Sequence, residues 1–494
     1  MSDVSQFITS LSEGYYIHQA LTIVGIFALG LLLLRLCVRK ADAGWQYLLA
    51  FPMGLTLWSL SGFLLLVFAI PFRLPFLLIL PGCLFSAFAF FCKREEKVRF
   101  SATDIVVILA VACLALVACS GLLNVSITND TVYYYSVYPQ MITKYGEYRK
   151  AFDVFLTDVG QTTALIYCLP YFFGFNETFG IQHFLNFNFA GIFYLSVYET
   201  AAQYFTKKRA VGAGAVSVLF LFTSTPFLIT AKWVLANVYF MDFLFILFYF
   251  GYKCSHDRAE FERYKWVMCF LTAMLSMMRM EGGMMACFLI LCLSVLAYTN
   301  REMIGYFLFP VFVMQAGYYA MLYLRLEVDP LYSFLDIKKA LLMLALILGL
   351  FFYFLLIRNR RFQKLLTYPE AFILVGLTLG NLALCALNAE KYLTNLVCFG
   401  KNMILQSGWG YFGFIVLILL LLLPGNTGRI SYPDFFCMGY ILLTIAVCWA
   451  RGGSLRVGIG DSGNRIMMQI APFVVYALAM HVIKWYSSKQ NEMI

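Results

Sequence analysis

NDTVYYY, residues 129–135, begins the longest polar interruption in an otherwise apolar chain. The interruption covers residues 124–177 and is flanked by hydrophobic runs long enough to cross a membrane. Its ionisable residues lie within or beside hydrophobic segments, and they are Asp130, Lys144, Glu147, Arg149, Lys150, Asp153 and Asp158. An acid at the end of a membrane helix, followed by aromatic residues, indicates a functional site rather than a plain connection.

The composition places most of the chain in lipid. Hydrophobic residues make up 62% of the 494 residues and charged residues only 13%, and the mean hydropathy is +0.80. These charges are too few to cover the surface of a soluble protein. The apolar runs are about 20 residues long, whereas a membrane β-barrel shows alternation over roughly ten residues. The sequence therefore predicts an all-α polytopic membrane protein.

Hydrophobic runs predict spans at residues 17–38, 46–70, 74–92, 104–123, 178–205, 211–231, 236–254, 266–280, 283–298, 303–325, 339–357, 369–388, 410–424, 433–450 and 466–484, with a short apolar piece at 161–174. Several are short enough to be paired or re-entrant, so the sequence predicts about 13 to 15 crossings. One candidate boundary, near residue 100, separates N-terminal membrane helices (1–100) from a second bundle (101–494).

The positions of Lys and Arg predict the orientation. Tight basic clusters, such as Lys207-Lys208-Arg209 and Arg358-Asn359-Arg360-Arg361, fall on one set of loops. Basic residues collect on the cytoplasmic side of membrane proteins, so the other set, with the N-terminus and the loop of Asp130, is predicted to lie outside. The same distribution accounts for the net charge of +10 without a nucleic-acid partner.

The cysteines do not predict a metal centre or a disulfide framework. Most of the fourteen lie inside apolar runs, and none form a metal-like CxxC pair. No cofactor is predicted, and nothing in the spacing of residues indicates a divalent metal.

The segment from Asn129 to Tyr148 resembles the first outer loop of the GT-C superfamily of glycosyltransferases. It runs from an acid through an aromatic cluster ending at Pro139 to an amphipathic helix with Gly146, and then to a second helix before an apolar run. Tyr135 stands where many members have His.

Two other turns are similar to turns of this family, so that the resemblance covers residues 100–300 and 450–484. One is Arg279-Met280-Glu281-Gly282, and the other is Asn464-Arg465 before the last span. The resemblance implies a GT-C-like bundle with an outer pair of amphipathic helices in the loop 124–177. It also implies a multi-pass protein of a bacterial plasma membrane that takes a sugar from a polyprenyl phosphate. The acceptor would be a glycan, lipid or protein on the outer face.

The implied reaction gives roles to the polar residues of the outer face. Asp130 is expected to be the catalytic base, because neighbouring apolar groups would desolvate it, and Asp158 to position the acceptor or the base. Guanidinium groups at helix ends would hold the departing phosphate. The residues expected to bind substrate are Tyr133, Tyr134, Lys232, Arg279, Glu281, Arg451, Arg456 and Arg465.

Other interpretations stay open. The tyrosines could form an aromatic belt at the membrane surface, with Asp130 as a helix cap. A transporter or flippase of lipid-linked glycans would place charged groups deep within several spans, and Asp242 is the borderline case. A non-catalytic membrane scaffold is a third interpretation.

Overall fold

The computed structural model describes residues 15–38, 43–73, 101–119, 126–172, 179–296, 302–331, 335–358, 368–405, 408–422, 430–450 and 455–492. These ranges are almost entirely helical. They contain no strand, and only an isolated parallel bridge joins Ser126 to Trp233. The predicted all-α class is confirmed.

The helices are α1 (Tyr15–Cys37), α2 (Ala43–Val67), α3 (Ala102–Cys119), α4 (Asn129–Val132), α5 (Tyr138–Tyr145), α6 (Asp153–Asp158), α7 (Gln161–Phe172), α8 (Phe179–Ala202), α9 (Lys207–Thr223), α10 (Thr225–Lys232), α11 (Ala236–His256), α12 (Arg258–Ser276), α13 (Gly282–Leu296), α14 (Glu302–Ala320), α15 (Ile337–Ile357), α16 (Pro369–Leu387), α17 (Ala389–Ile404), α18 (Phe412–Leu422), α19 (Tyr432–Ala450), α20 (Ser462–Met468) and α21 (Ala471–Glu492). Five-residue π turns follow α4 and α14, and a short 3₁₀ turn precedes α6.

Eight helices of the described residues are long and apolar enough to cross a membrane. The number becomes nine if α9 and α10, bent by 68° at their junction, count as one span. Each predicted span in the described ranges coincides with a helix or a broken helix pair, while the span at 74–92 lies outside them. A polytopic membrane protein is therefore supported. The larger number of 13 to 15 crossings and the GT-C arrangement stay predictions.

The chain forms two compact units, and each consists of two separate segments. The first contains residues 1–189 and 233–356, and the second contains residues 190–232 and 357–494. The boundary expected near residue 100 falls inside the first unit, and it remains a prediction.

Within the first unit, residues predicted on the same side of the membrane meet at the same end of the helices. At one end, Arg35 binds Asp104 at 2.6 Å and Arg258 binds Glu302 at 3.2 Å. At the other end, the Phe72 amide donates to the Gly146 carbonyl at 2.6 Å. The predicted alternation of loops thus agrees with the packing of this unit. Which end faces the cytoplasm stays a prediction.

Candidate functional site

Asp130 lies in the first turn of α4, which the chain holds against the start of α11. Thr128 caps this helix, because its hydroxyl accepts from the Thr131 amide at 3.2 Å. The Thr131 hydroxyl donates to the Val234 carbonyl at 2.9 Å. The Val234 amide in turn donates to the carbonyl of Ser126 at 3.2 Å. Thr128 therefore has the capping role that one interpretation gave to Asp130, and Asp130 is half-buried beside it.

The aromatic segment continues α4 through a π turn, Tyr133–Val137, into α5. The predicted amphipathic helix is present and ends at Gly146, whose φ of +69° favours glycine. α5 packs against the protein on the side that carries Tyr138 and Ile142. The sequence did not predict that this side is buried. Tyr133 is exposed and Tyr134 is half-buried.

Asp158 lies at the end of α6, in a turn that the side chain of Gln161 holds in place. The Gln161 amide donates to the Val159 carbonyl at 2.8 Å, and the Tyr138 hydroxyl donates to its Oε1 at 2.7 Å. The Tyr138 ring stacks on Phe155, with 4.9 Å between the ring centroids. Buried contacts therefore fix the backbone of α6 relative to α5.

These contacts bring Asp130 and Asp158 close to the same phenol. The Tyr134 hydroxyl donates to Asp158 Oδ2 at 3.4 Å. Burial raises the pKa of Tyr134 to about 12, with smaller contributions from the charges of Asp158 and Asp130. Tyr134 is consequently a neutral phenol that donates to Asp158 and lies within electrostatic range of Asp130.

Burial raises the pKa of the Asp158 carboxyl above its ordinary value, and the nearby charge of Asp153 adds to this effect. Hydrogen bonds from Thr157 and Tyr134 and the positive charge of Lys339 act in the opposite direction. A carboxylate with a raised pKa is a better proton acceptor near neutral pH than an ordinary aspartate.

The turn that carries Arg279 packs directly against the turn after Asp158. A Cβ atom at Gly160 would lie 1.8 Å from the Met278 carbonyl oxygen and 2.3 Å from the Arg279 nitrogen. The Thr163 hydroxyl donates to the same carbonyl at 2.8 Å. Arg279 Nε donates to Glu281 Oε1 at 2.5 Å, and the side chains of this pair are only 16% and 14% exposed. The first unit therefore gathers Asp130, Asp158, Tyr133, Tyr134, Arg279 and Glu281 at one end.

The second unit holds the remaining described candidates. The Arg456 amide donates to Asp461 Oδ2 at 3.0 Å, and the Arg465 amide donates to the Asp461 carbonyl at 3.1 Å. The backbones of both arginines thus meet at one aspartate, with the Arg456 side chain exposed and Arg465 half-buried. Lys232 ends α10 and is exposed, and Arg451 lies outside the described residues.

No protein-family model, curated protein or solved structure matches this chain. Membership of the GT-C superfamily therefore stays a prediction.

Some residues of this cluster were not predicted. Lys339 acts on Asp158, and its only sequence signal is its place between an outer loop and an apolar run. Gln161 and Tyr138 have no local signal, because their roles depend on contacts between separate helices. Within the described ranges, no three side chains of His, Cys, Asp or Glu are placed to hold a metal ion.

Asp242 is a second acid of the first unit and lies within the membrane span of α11. Its side chain is fully buried, and neither carboxyl oxygen has a hydrogen-bond partner among the described residues.

Proposed function

We propose that the chain is an inverting glycosyltransferase that uses a polyprenyl-phosphate sugar on the non-cytoplasmic face of the membrane. The observation that carries this proposal lies at an end of the bundle predicted to be outside, where Tyr134 donates to Asp158 and lies within electrostatic range of Asp130. The pKa of one of these two acids is raised by burial, which is what a general base near neutral pH needs.

The reaction requires one proton acceptor and one site for the leaving phosphate. The base removes the proton of an acceptor hydroxyl, whose oxygen then attacks the anomeric carbon from the face opposite the phosphate. The bond between that carbon and the phosphate oxygen breaks, and the polyprenyl phosphate leaves with the electron pair. The sequence suggested Asp130 as the base. Because burial raises the pKa of Asp158, we assign the role of general base to Asp158. Asp130 then orients the acceptor.

We assign the binding of the phosphate to Arg279 of the first unit. Its Nε contact with Glu281 fixes the plane of the guanidinium, and a fixed plane loses less entropy when it binds two phosphate oxygens. Its turn packs against Gly160, two residues after Asp158. The base and this cation are consequently held by one set of backbone contacts.

The test is sugar transfer from a polyprenyl-phosphate donor by the full chain in proteoliposomes. We expect Asp158→Asn to lower the rate by roughly 10²–10⁴-fold, the usual contribution of a general base, and Asp130→Asn to lower it as well. Asp329→Asn is the matched control, because Asp329 is an exposed acid of the first unit that is not among the groups shifting the pKa of Asp158, and it should stay close to the parent. Sugar transfer at the parent rate in both Asp158→Asn and Asp130→Asn would contradict the proposal.

One observation favours the second candidate, a transporter or flippase of lipid-linked glycans. Asp242 is a buried acid within a span, and ionisable groups inside membranes commonly line transport routes. This function predicts movement of labelled lipid across vesicles without any acceptor, and loss of that movement in Asp242→Asn. A glycosyltransferase without transport activity would show no such movement.

A further inference from the structure

The helix α17 of the second unit has its polar and apolar faces reversed relative to a soluble protein. Its polar face is buried and carries Asn395 and Asn402. Its exposed face is apolar and carries Leu393 (53% exposed), Leu396 (43%) and Val397 (52%), followed by Ile404 (48%). These positions follow a spacing of three, four and seven residues, so they form one stripe along the helix.

The buried face of α17 is occupied by the loop that carries Arg456. Asn395 Oδ1 accepts from the Leu455 amide at 2.8 Å. Asn402 donates to the Arg456 carbonyl at 3.2 Å and accepts from the Gly458 amide at 2.9 Å. Asn464 holds the same loop from the other side, because its amide donates to the Gly458 carbonyl at 2.9 Å. The backbone around Arg456 is thus fixed, while its side chain is exposed.

The exposed stripe continues the lipid-facing surface of a neighbouring span. α16 is a candidate membrane span of which only 11% is buried, and a single residue, Asn388, separates it from α17. Its Leu382 and Leu387 are 58% and 74% exposed. α17 itself contains Glu390, Lys391 and Lys401 and is not among the candidate spans. A helix with one apolar face and charged edges lies along a membrane surface rather than across it.

Charge at the edge of the stripe indicates which lipids this surface prefers. Lys401 is exposed and directly precedes Asn402, whose side chain contacts the backbone of Arg456. Val457 and Ile459 beside Arg456 are 51% and 37% exposed. Two cations next to exposed apolar side chains match the boundary between acyl chains and phosphate groups.

We propose that α17 lies in the membrane surface, with its apolar stripe against acyl chains and with Lys401 and Arg456 on the phosphates of anionic bilayer lipids. The bound lipid then anchors the loop 455–461 through Asn395 and Asn402. This binding does not depend on the proposed transferase activity.

The first test measures the depth of α17 in the full chain, in nanodiscs that contain phosphatidylglycerol and phosphatidylcholine. A nitroxide-bearing amino acid replaces Leu396 on the stripe or Thr394 on the exposed polar edge. We expect position 396 to be more accessible to oxygen than to a water-soluble nickel complex, and position 394 to show the reverse. Greater nickel access at 396, or protection from both reagents, would overturn the proposal.

The second test identifies the captured lipid. A photoreactive amino acid at position 397 is irradiated in the same nanodiscs, and the cross-linked lipids are identified by mass spectrometry. We expect phosphatidylglycerol in excess of phosphatidylcholine, with that preference falling about fivefold for each cation removed in Lys401→Gln and Arg456→Gln. Lys484→Gln, an exposed cation on α21, is the matched control and should leave the preference unchanged. Equal capture by the parent chain would overturn the proposal, as would capture of added polyprenyl phosphate instead of phosphatidylglycerol.

Discussion

At the scale of single residues, the proposed role of Asp158 makes the rate depend on pH. A general base acts only when it is deprotonated, so transfer should be lost as the pH falls through the pKa of Asp158. Burial raises that pKa, so the loss should occur at a higher pH than for an ordinary aspartate. The measurement is the pH profile of kcat/KM. A profile that is flat down to the range of an exposed aspartate would contradict this role.

Tyr134→Phe tests the contact that tunes Asp158. The hydrogen bond from the Tyr134 hydroxyl stabilises the carboxylate and lowers its pKa. Its removal should therefore raise the pKa and move the acid limb of the profile to higher pH. Tyr133→Phe is the matched control, because the Tyr133 ring packs against Phe155 at 5.6 Å and is not a partner of Asp158. Equal shifts in both variants would contradict the assignment.

At the scale of helices and turns, Gly160 determines how closely α7 approaches the Arg279 turn. A Cβ atom there would overlap the backbone of Met278 and Arg279, and backbone cannot move aside as a flexible side chain can. Gly160→Ala should cost about 1–3 kcal/mol of stability and lower sugar transfer by moving the Arg279 turn away from the turn after Asp158. Thermal unfolding of the full chain in detergent measures the loss of stability. The rate of sugar transfer by the same sample measures the loss of activity.

The control for Gly160→Ala is another glycine of the first unit. Gly305 lies in α14, and a Cβ atom there meets nothing within 4 Å. Because alanine is favoured over glycine in a helix by roughly 0.5–1 kcal/mol, Gly305→Ala should be neutral or slightly stabilising. Similar destabilisation of both variants would show that close packing at Gly160 is not the cause.

The same elements show what sequence can predict. Runs of apolar residues are local, so the spans at 236–254 and 369–388 agree with α11 and α16. Pro139 and Gly146 act on their own backbone, so the limits of α5 were also predictable. The buried side of α5 was not, because it depends on the contact of Tyr138 with Gln161, 23 positions later. The effect of Lys339 on the pKa of Asp158 was not predictable either, because these two residues lie still farther apart in the sequence.

At the scale of the whole molecule, the sequence did not predict the division into two units. The chain passes between them after residues 189, 232 and 356, and no composition change marks these positions. Each junction falls within or beside a helix or an apolar run. The units are defined by packing between distant segments, so no local feature of the sequence marks where one unit ends. A boundary drawn from sequence alone can follow only local signals, as the one near residue 100 does.

The proposed reaction requires the loop of Asp130 to lie outside the cell, and cysteine labelling tests this orientation. Lys150 is exposed in that loop, and Arg258 is exposed at the opposite end of the first unit. In intact cells, a membrane-impermeant maleimide should label Lys150→Cys but not Arg258→Cys, which should react only after permeabilisation. Arg258→Cys should fold normally, since its ion pair with Glu302 is exposed and such pairs contribute little stability. The parent chain, with its native cysteines, gives the background. Labelling of Arg258→Cys alone in intact cells would place both acids in the cytoplasm and exclude a reaction on the outer face.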